Sequence, residues 1–292
     1  MSKPTIIAVD GRRTRVRVEG DPAQPPILLL HGIGRSLEDW APQFHRLAGY
    51  RTIAMDMHGF GFSTRPAGPM SLPTLARGVA RTLEDLGERR PVHVVGNSLG
   101  GAVALQLLTL KPQRVASLAL VNSAGFGSEV TWLLRMLTIP GFGSFTARHP
   151  TRASAWMAER AIYADPTLAT RERIDHGLAI ARQPEAGPAL HEIASNLGTV
   201  RGVRRKWRAN LLAEVTRYPR PTLIVWGDRD RILPFHQLDA ARRVLPHAQV
   251  RVFNRIGHMP QIECPDEFAE SLRGFISSLP CQQLDGAAVE CR

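Results

Sequence analysis

The chain has 292 residues, 43% hydrophobic and 22% charged, a balance that excludes a disordered chain and suits one large domain with an inserted subdomain. No apolar run approaches the ~20 residues that span a bilayer, the first residues hold no long apolar stretch of a secretory leader, and three cysteines cannot build a disulfide framework. The net charge of +11 comes from arginines spread along the whole chain, with only Lys3, Lys111 and Lys206 as lysines, and no helix-turn-helix, zinc or RNA-binding signature accompanies it. A cytoplasmic protein with no nucleic-acid partner, no transmembrane segment and no cofactor is expected.

Thr5 to Asp10 and Thr14 to Glu19 read as two strands joined by Asp10-Gly11, a hairpin signal. Arg13, Arg15 and Arg17 alternate with Thr14, Val16 and Val18, which predicts one solvated face. Pro25-Pro26 introduces the apolar strand Ile27 to Leu30, which ends in His31-Gly32-Ile33-Gly34. Such a turn aims backbone N–H groups into the crevice at the strand's carboxyl end, where open α/β sheets place ligands. Arg51 to Met55 is the next strand, followed by a loop from Asp56 to Ser63 that reads as structural. Leu72, Leu75, Val79, Leu83 and Leu86 then mark an amphipathic helix.

Pro91 to Val95 predicts a buried strand and Ala102 to Leu110 a buried helix, separated by Gly96-Asn97-Ser98-Leu99-Gly100-Gly101. In a chain with 25 glycines the pentapeptide Gly-x-Ser-x-Gly alone means little. Its strand-before, helix-after setting is what makes a nucleophile elbow, with the Ser98 hydroxyl held at the apex of a sharp turn. Val115 to Val121 is another buried strand. After Asn122-Ser123-Ala124-Gly125 the β/α alternation stops, and Phe126 to Tyr218 shows helical patterns divided by prolines, with no convincing strand. The first part is strongly apolar, and Trp132, Met136 and Phe142 are candidates for lining a substrate pocket. Strands resume at Thr222 to Trp226 and Gln249 to Phe253, with helices over Phe235 to Leu245 and Asp266 to Leu279. A short polar tail from Pro280 is expected to fray.

A serine hydroxyl needs a base within hydrogen-bond reach, and the base needs an orienter. Of ten histidines, His258 follows the last strand in a Gly-His turn, from which its ring can reach the sheet edge near Ser98. Two carboxylates in the preceding loop, Asp228 and Asp230, are candidates for the orienter.

The motifs His31-Gly-Ile-Gly, Gly96-Asn-Ser-Leu-Gly-Gly, Gly227-Asp-Arg-Asp and Gly257-His-Met together resemble the α/β-hydrolase family. The resemblance implies an α/β fold with a mostly parallel eight-stranded sheet flanked by helices. It divides the chain into a core of residues 1–125 and 219–279, a helical cap of residues 126–218 and a flexible tail of residues 280–292. It implies that the acid is Asp230, four residues before Pro234, since the alternative family position at Asn122-Ser123 holds no carboxylate. The triad is then Ser98, Asp230 and His258, and the oxyanion N–H groups are those of Ile33 and Leu99. A serine at the elbow excludes relatives that need an aspartate nucleophile, the haloalkane dehalogenases and epoxide hydrolases.

Tyr163 to Leu168 and Arg182 to Glu185 are similar to the meta-cleavage-product C–C hydrolases. The chain departs from them at Gly34 to Leu37, at Met259 where they carry tryptophan, and at His176 where they carry a cap arginine. The expected function is therefore hydrolysis of carboxylic esters with an apolar acyl or aromatic group. The alternatives are C–C hydrolysis and a non-catalytic or haloperoxidase-like relative. The expected partner is a small apolar ester or ketone in a pocket that includes Asn97 and Met259 beside the three residues named above. The oligomeric state is left open, a homodimer being one option.

Overall fold

Pro26-Ile27-Leu28-Leu29-Leu30 is buried at all five positions, which a strand achieves when both faces of its sheet are covered. The computed structural model describes residues 2–280 and places that stretch inside an eight-stranded sheet. Its strands are β1 (Thr5–Val9), β2 (Arg12–Glu19), β3 (Pro26–Leu30), β4 (Arg51–Met55), β5 (Val92–Asn97), β6 (Val115–Val121), β7 (Thr222–Gly227) and β8 (Gln249–Phe253). Their spatial order is β1-β2-β4-β3-β5-β6-β7-β8. β2 pairs antiparallel with β1 and with β4, and every other neighbouring pair is parallel.

Side chains on a strand alternate between faces, so each central strand feeds two cores. Leu28, Leu30, Val94, Leu118, Leu120 and Ile224 pack on one face, with the helices α1 (Leu72–Asp85) and α2 (Leu99–Leu110). Leu29, Val95, Ala119 and Val225 pack on the other, against Trp40, Phe268 and Leu272. Parallel register brings the strand ends together: Leu30 lies opposite Gly96, Asn97 opposite Val121, and Gly227 opposite Phe253. The loops that carry His31, Ser98, Asn122, Asp230 and His258 therefore leave the sheet at one edge.

Six helices interrupt the sheet between β6 and β7: α3 (Trp132–Met136), α4 (Phe142–Arg148), α5 (Arg152–Ala161), α6 (Arg171–Ala181), α7 (Ala186–Leu197) and α8 (Arg205–Val215). The same stretch also holds a two-stranded ribbon, Gly198–Thr199 against Gly202–Val203. Two residues per strand leave no periodic signal, so the expectation of no strand there is corrected. The chain ends on α9 (Gln237–Val244), α10 (Pro260–Glu263) and α11 (Pro265–Ser277). The tail expectation for residues 281–292 falls outside the described residues.

Of the solvated arginine face expected on β2, Arg13 is exposed, while Arg15 and Arg17 are corrected. Arg17 is buried, with its guanidinium 3.8 Å from the centre of the Phe44 ring. Arg15 is paired with Glu38 and Asp56, its Nη1 donating to Asp56 Oδ2 at 3.2 Å. The 3-10 helix Leu37–Gln43, which hydropathy pattern does not announce, covers that face.

Candidate active site

At the end of β5 the chain must turn from strand to helix within one residue, and Ser98 takes φ 55° and ψ −117° to do so. A non-glycine residue there stores roughly 1–3 kcal/mol of strain, held by the surrounding contacts. Ser98 N donates to Val121 O at 3.0 Å, and Ser98 O accepts from Gly101 N and Ala124 N, both at 3.0 Å. The turn closes only because glycines flank it. A Cβ on Gly96 would lie 2.4 Å from Gly100 C, and one on Gly100 would lie 2.3 Å from Leu30 O. Ser98 is 6% exposed.

Across the sheet edge His258 Nδ1 stands 2.7 Å from Asp230 Oδ2. A carboxylate only accepts, so Nδ1 is the ring nitrogen that donates, which turns Nε2 away from the acid. Asp230 is buried and its remaining capacity is filled. Oδ1 accepts from Ile232 N at 2.7 Å and Leu233 N at 3.0 Å, and Oδ2 also accepts from Asn122 Nδ2 at 2.6 Å. Asp228 does something else: its Oδ1 accepts from Arg255 N at 2.6 Å and braces a residue at φ 61°. Of the two candidate carboxylates, Asp230 is the one that meets the histidine.

Ile33 and Leu99, the first residue of α2, carry backbone N–H groups with no hydrogen-bond acceptor among the described residues. Gly32 lies against the elbow, where a Cβ on it would stand 3.4 Å from both Ser98 Cβ and Asn97 Oδ1. The helix dipole adds partial positive charge at the Leu99 end. Both N–H groups can take an acceptor without displacing an existing bond.

The five residues considered for the pocket separate. Asn97 is buried and its Nδ2 donates to His258 O at 3.0 Å and Val121 O at 3.2 Å, so its amide ties the elbow to the histidine loop. Met259 is buried against Tyr163 and Ile262. Met136 is half-buried on α3. Trp132 and Phe142 are 59% and 49% exposed. The reason is visible in α4, whose small residues Gly143 and Ala147 face inward, with Gly187 of α7 packed on Ala147. His176 is likewise spent elsewhere, its Nε2 lying 2.9 Å from Ser36 Oγ and 3.3 Å from Glu38 Oε2.

The family assignment follows from the whole chain. Residues 25–265 match the family model described as the alpha/beta hydrolase fold. This chain belongs to the α/β-hydrolase family. It is 32% identical over 274 residues to the dihydrolipoyllysine-residue acetyltransferase component of the acetoin cleaving system of Pseudomonas putida, covering 94% of this chain and 69% of the relative. It is 29% identical to Lipase 1 of Psychrobacter immobilis, over 90% of this chain and 80% of that one. Among solved structures it resembles the 2-hydroxy-6-oxo-6-phenylhexa-2,4-dienoate hydrolase of Rhodococcus sp. strain RHA1, with a TM-score of 0.79 and 26% identity over 94% of this chain and all of the other.

Two supporting residues of this α/β-hydrolase were not assigned a role from the sequence. Asn122, at φ 44°, orients the Asp230 carboxylate and also reaches Gly257 O at 3.3 Å. Glu263 gathers the N–H groups of Gly257, Met259 and Ala164 within 3.1 Å, and burial pushes its carboxyl upward. Asn122 had one available signal, its place at the end of β6, while Glu263 had none beyond its nearness to His258.

His31 is not part of the chemistry. Its Nδ1 donates to Gly32 O at 2.7 Å and its Nε2 accepts from Met57 N at 3.0 Å, which fixes a neutral ring that burial keeps below its ordinary pKa. Nor is a surface cleft of about 310 Å³ that lies between α8 and α9 at the amino ends of β6 and β7 and holds none of Ser98, Asp230 or His258. In open α/β sheets the ligand edge is the carboxyl one. Among the described residues no three His, Cys, Asp or Glu side chains converge as metal ligands, and no helix is long and apolar enough to cross a membrane.

Proposed function

We propose that this α/β-hydrolase is a serine hydrolase acting on carboxylic esters with an apolar acyl or aromatic group, through Ser98, His258 and Asp230. The observation that carries the reading is the 2.7 Å contact from His258 Nδ1 to Asp230 Oδ2 at the sheet edge onto which the strained Ser98 turn opens. His258 Nε2 takes the proton as Ser98 Oγ attacks the ester carbonyl. The carbonyl π electrons move onto oxygen, and the N–H groups of Ile33 and Leu99 stabilise the oxyanion, each by roughly 3–4 kcal/mol. Collapse expels the alkoxide, which receives the proton from His258, and leaves an acyl-Ser98. Water then repeats the sequence with His258 again as base. The inserted helices act as the cap that covers the site and excludes solvent.

A panel of p-nitrophenyl esters from acetate to dodecanoate, run beside a vinylogous diketone, tests the reading. Ester turnover that is lost in Ser98→Ala is expected. Turnover of the diketone alone would favour C–C hydrolysis, the reading that the 26%-identical dienoate hydrolase supports. Turnover of neither would reduce the chain to a binding relative.

A further inference from the structure

Glu159 is an anomaly. It stands in the last turn of α5, a helix whose other positions are exposed or half-exposed, and it alone is buried, at 2% exposure. An ionised carboxylate is buried at this depth only when it is paired. Its partner is Arg35, three residues after Gly32 in the oxyanion loop. Arg35 Nη1 is paired with Glu159 Oε2 and Nη2 donates to Oε1 at 3.3 Å. The same guanidinium grips Asp39, Nε to Oδ2 at 2.9 Å and Nη2 to Oδ1 at 2.7 Å. Burial alone would raise the Glu159 carboxyl, and Arg35, joined by the Tyr163 hydroxyl and the Arg173 charge, more than reverses this. Tyr163, one turn on, donates its hydroxyl to Glu159 Oε1 at 2.7 Å.

The residues that follow grip a different loop. Ile162 O accepts from His258 N at 2.8 Å, and Ala164 N donates to Glu263 Oε2 at 2.8 Å. Gly257 is pressed against the same segment, where a Cβ would lie 2.5 Å from Ala164 N. The Tyr163 ring packs on Met259, next to the histidine. Within six residues, 159 to 164, one segment of the insertion holds the oxyanion loop at one end and the histidine loop at the other.

We propose that residues 159–164 form a strut that sets the spacing between the His258 base and the Ile33 oxyanion donor, with Glu159 and Tyr163 as positioning residues. The inference rests on the Ser98–His258–Asp230 reading. It means that the cap is a structural part of the catalytic apparatus as well as a cover. Any movement that lifts α5 off the core pulls on both loops together, so the site is assembled only while the cap is docked.

The test uses the full chain, with p-nitrophenyl butyrate turnover, phosphonylation of Ser98 by a p-nitrophenyl phosphonate, and thermal melting. In phosphonylation Ser98 Oγ bonds to phosphorus and p-nitrophenolate leaves. Tyr163→Phe removes one donor, and Arg35→Met/Asp39→Leu/Glu159→Leu replaces the whole charged triad by apolar groups, which commonly preserves stability. Both variants are expected to melt close to wild type. The triple variant is expected to lose on the order of 10- to 100-fold in kcat and in phosphonylation rate, with KM moved by less than about threefold, as a misplacement of about 1 Å produces. Tyr163→Phe is expected to lose less, in the same direction. A triple variant that melts like wild type and keeps both rates within about twofold would overturn the strut. A lower melting temperature with both rates kept would overturn it equally, since that is a purely structural contact. If wild type itself neither turns over nor is phosphonylated, the Ser98 reading has failed instead.

Discussion

Asn122 Nδ2 donates to Asp230 Oδ2 at 2.6 Å, on the same oxygen that faces His258 Nδ1 at 2.7 Å. One carboxylate oxygen thus serves two donors, and the amide spreads the negative charge that the imidazolium would otherwise receive alone. Asn122→Asp keeps a residue type that tolerates φ 44° but puts a second carboxylate beside the first. The donor that holds the Asp230 carboxylate is replaced by an acceptor that repels it, and kcat is expected to fall on the order of 10- to 100-fold, the worth of one hydrogen bond to a charged group. Steady-state kinetics of wild type and variant check this, and an unchanged kcat would remove Asn122 from the site.

The two neighbouring aspartates should separate in kinetics. Asp230→Asn is expected to lower kcat by several orders of magnitude. In a serine protease, the established example of this substitution, the wrong histidine tautomer costs about 10⁴. Asp228→Asn keeps an oxygen that can accept from Arg255 N, weakening that bond only by its lost charge, and is expected to cost less than about 1 kcal/mol of stability with kcat nearly unchanged. Paired kinetics and urea titrations check the ranking, and the reverse order would move the acid to Asp228.

Much of this arrangement was legible in the chain, and the limits have physical causes. The central strands announce themselves because they are buried on both faces, and the elbow because strand, turn and helix each need different residue types within a dozen positions. The roles of Asn122, Glu263 and Glu159 are hidden because they act through tertiary hydrogen bonds that no local pattern records. Phe142 and Phe145 depart from expectation for the opposite reason. An apolar stretch signals burial, yet α4 buries its glycine and alanine and leaves its aromatics exposed.

That inversion has a consequence for specificity. Phe142 and Phe145, at 49% and 62% exposure, are expected to have no role in acyl selection. Phe142→Ser and Phe145→Ser should leave the chain-length profile of the p-nitrophenyl series unchanged. Each should shift stability by less than about 0.5 kcal/mol, as surface substitutions do. A flattened profile in either variant would return these side chains to the pocket.

Acid should weaken the fold through its buried imidazoles. Burial lowers His93 to about 4 from an ordinary value of 6.5, and lowers His31 and His58 as well. The folded state then binds protons less readily than the unfolded chain. This contribution is intact above about pH 6.5 and is lost as pH falls toward about 4, for His93 on the order of 2 kcal/mol after allowing for its partial exposure. His93→Asn is expected to flatten that decline in urea unfolding measured across the interval, and an unchanged slope would place the acid sensitivity elsewhere.

The central claim is that Ser98 is the attacking atom. Intact-protein mass spectrometry after exposure to a p-nitrophenyl phosphonate, followed by peptide mapping, measures this directly. One phosphonyl group per chain, mapped to Ser98 and absent from Ser98→Ala, is the predicted result. An adduct at another residue, or none on a chain that still hydrolyses esters, would contradict it.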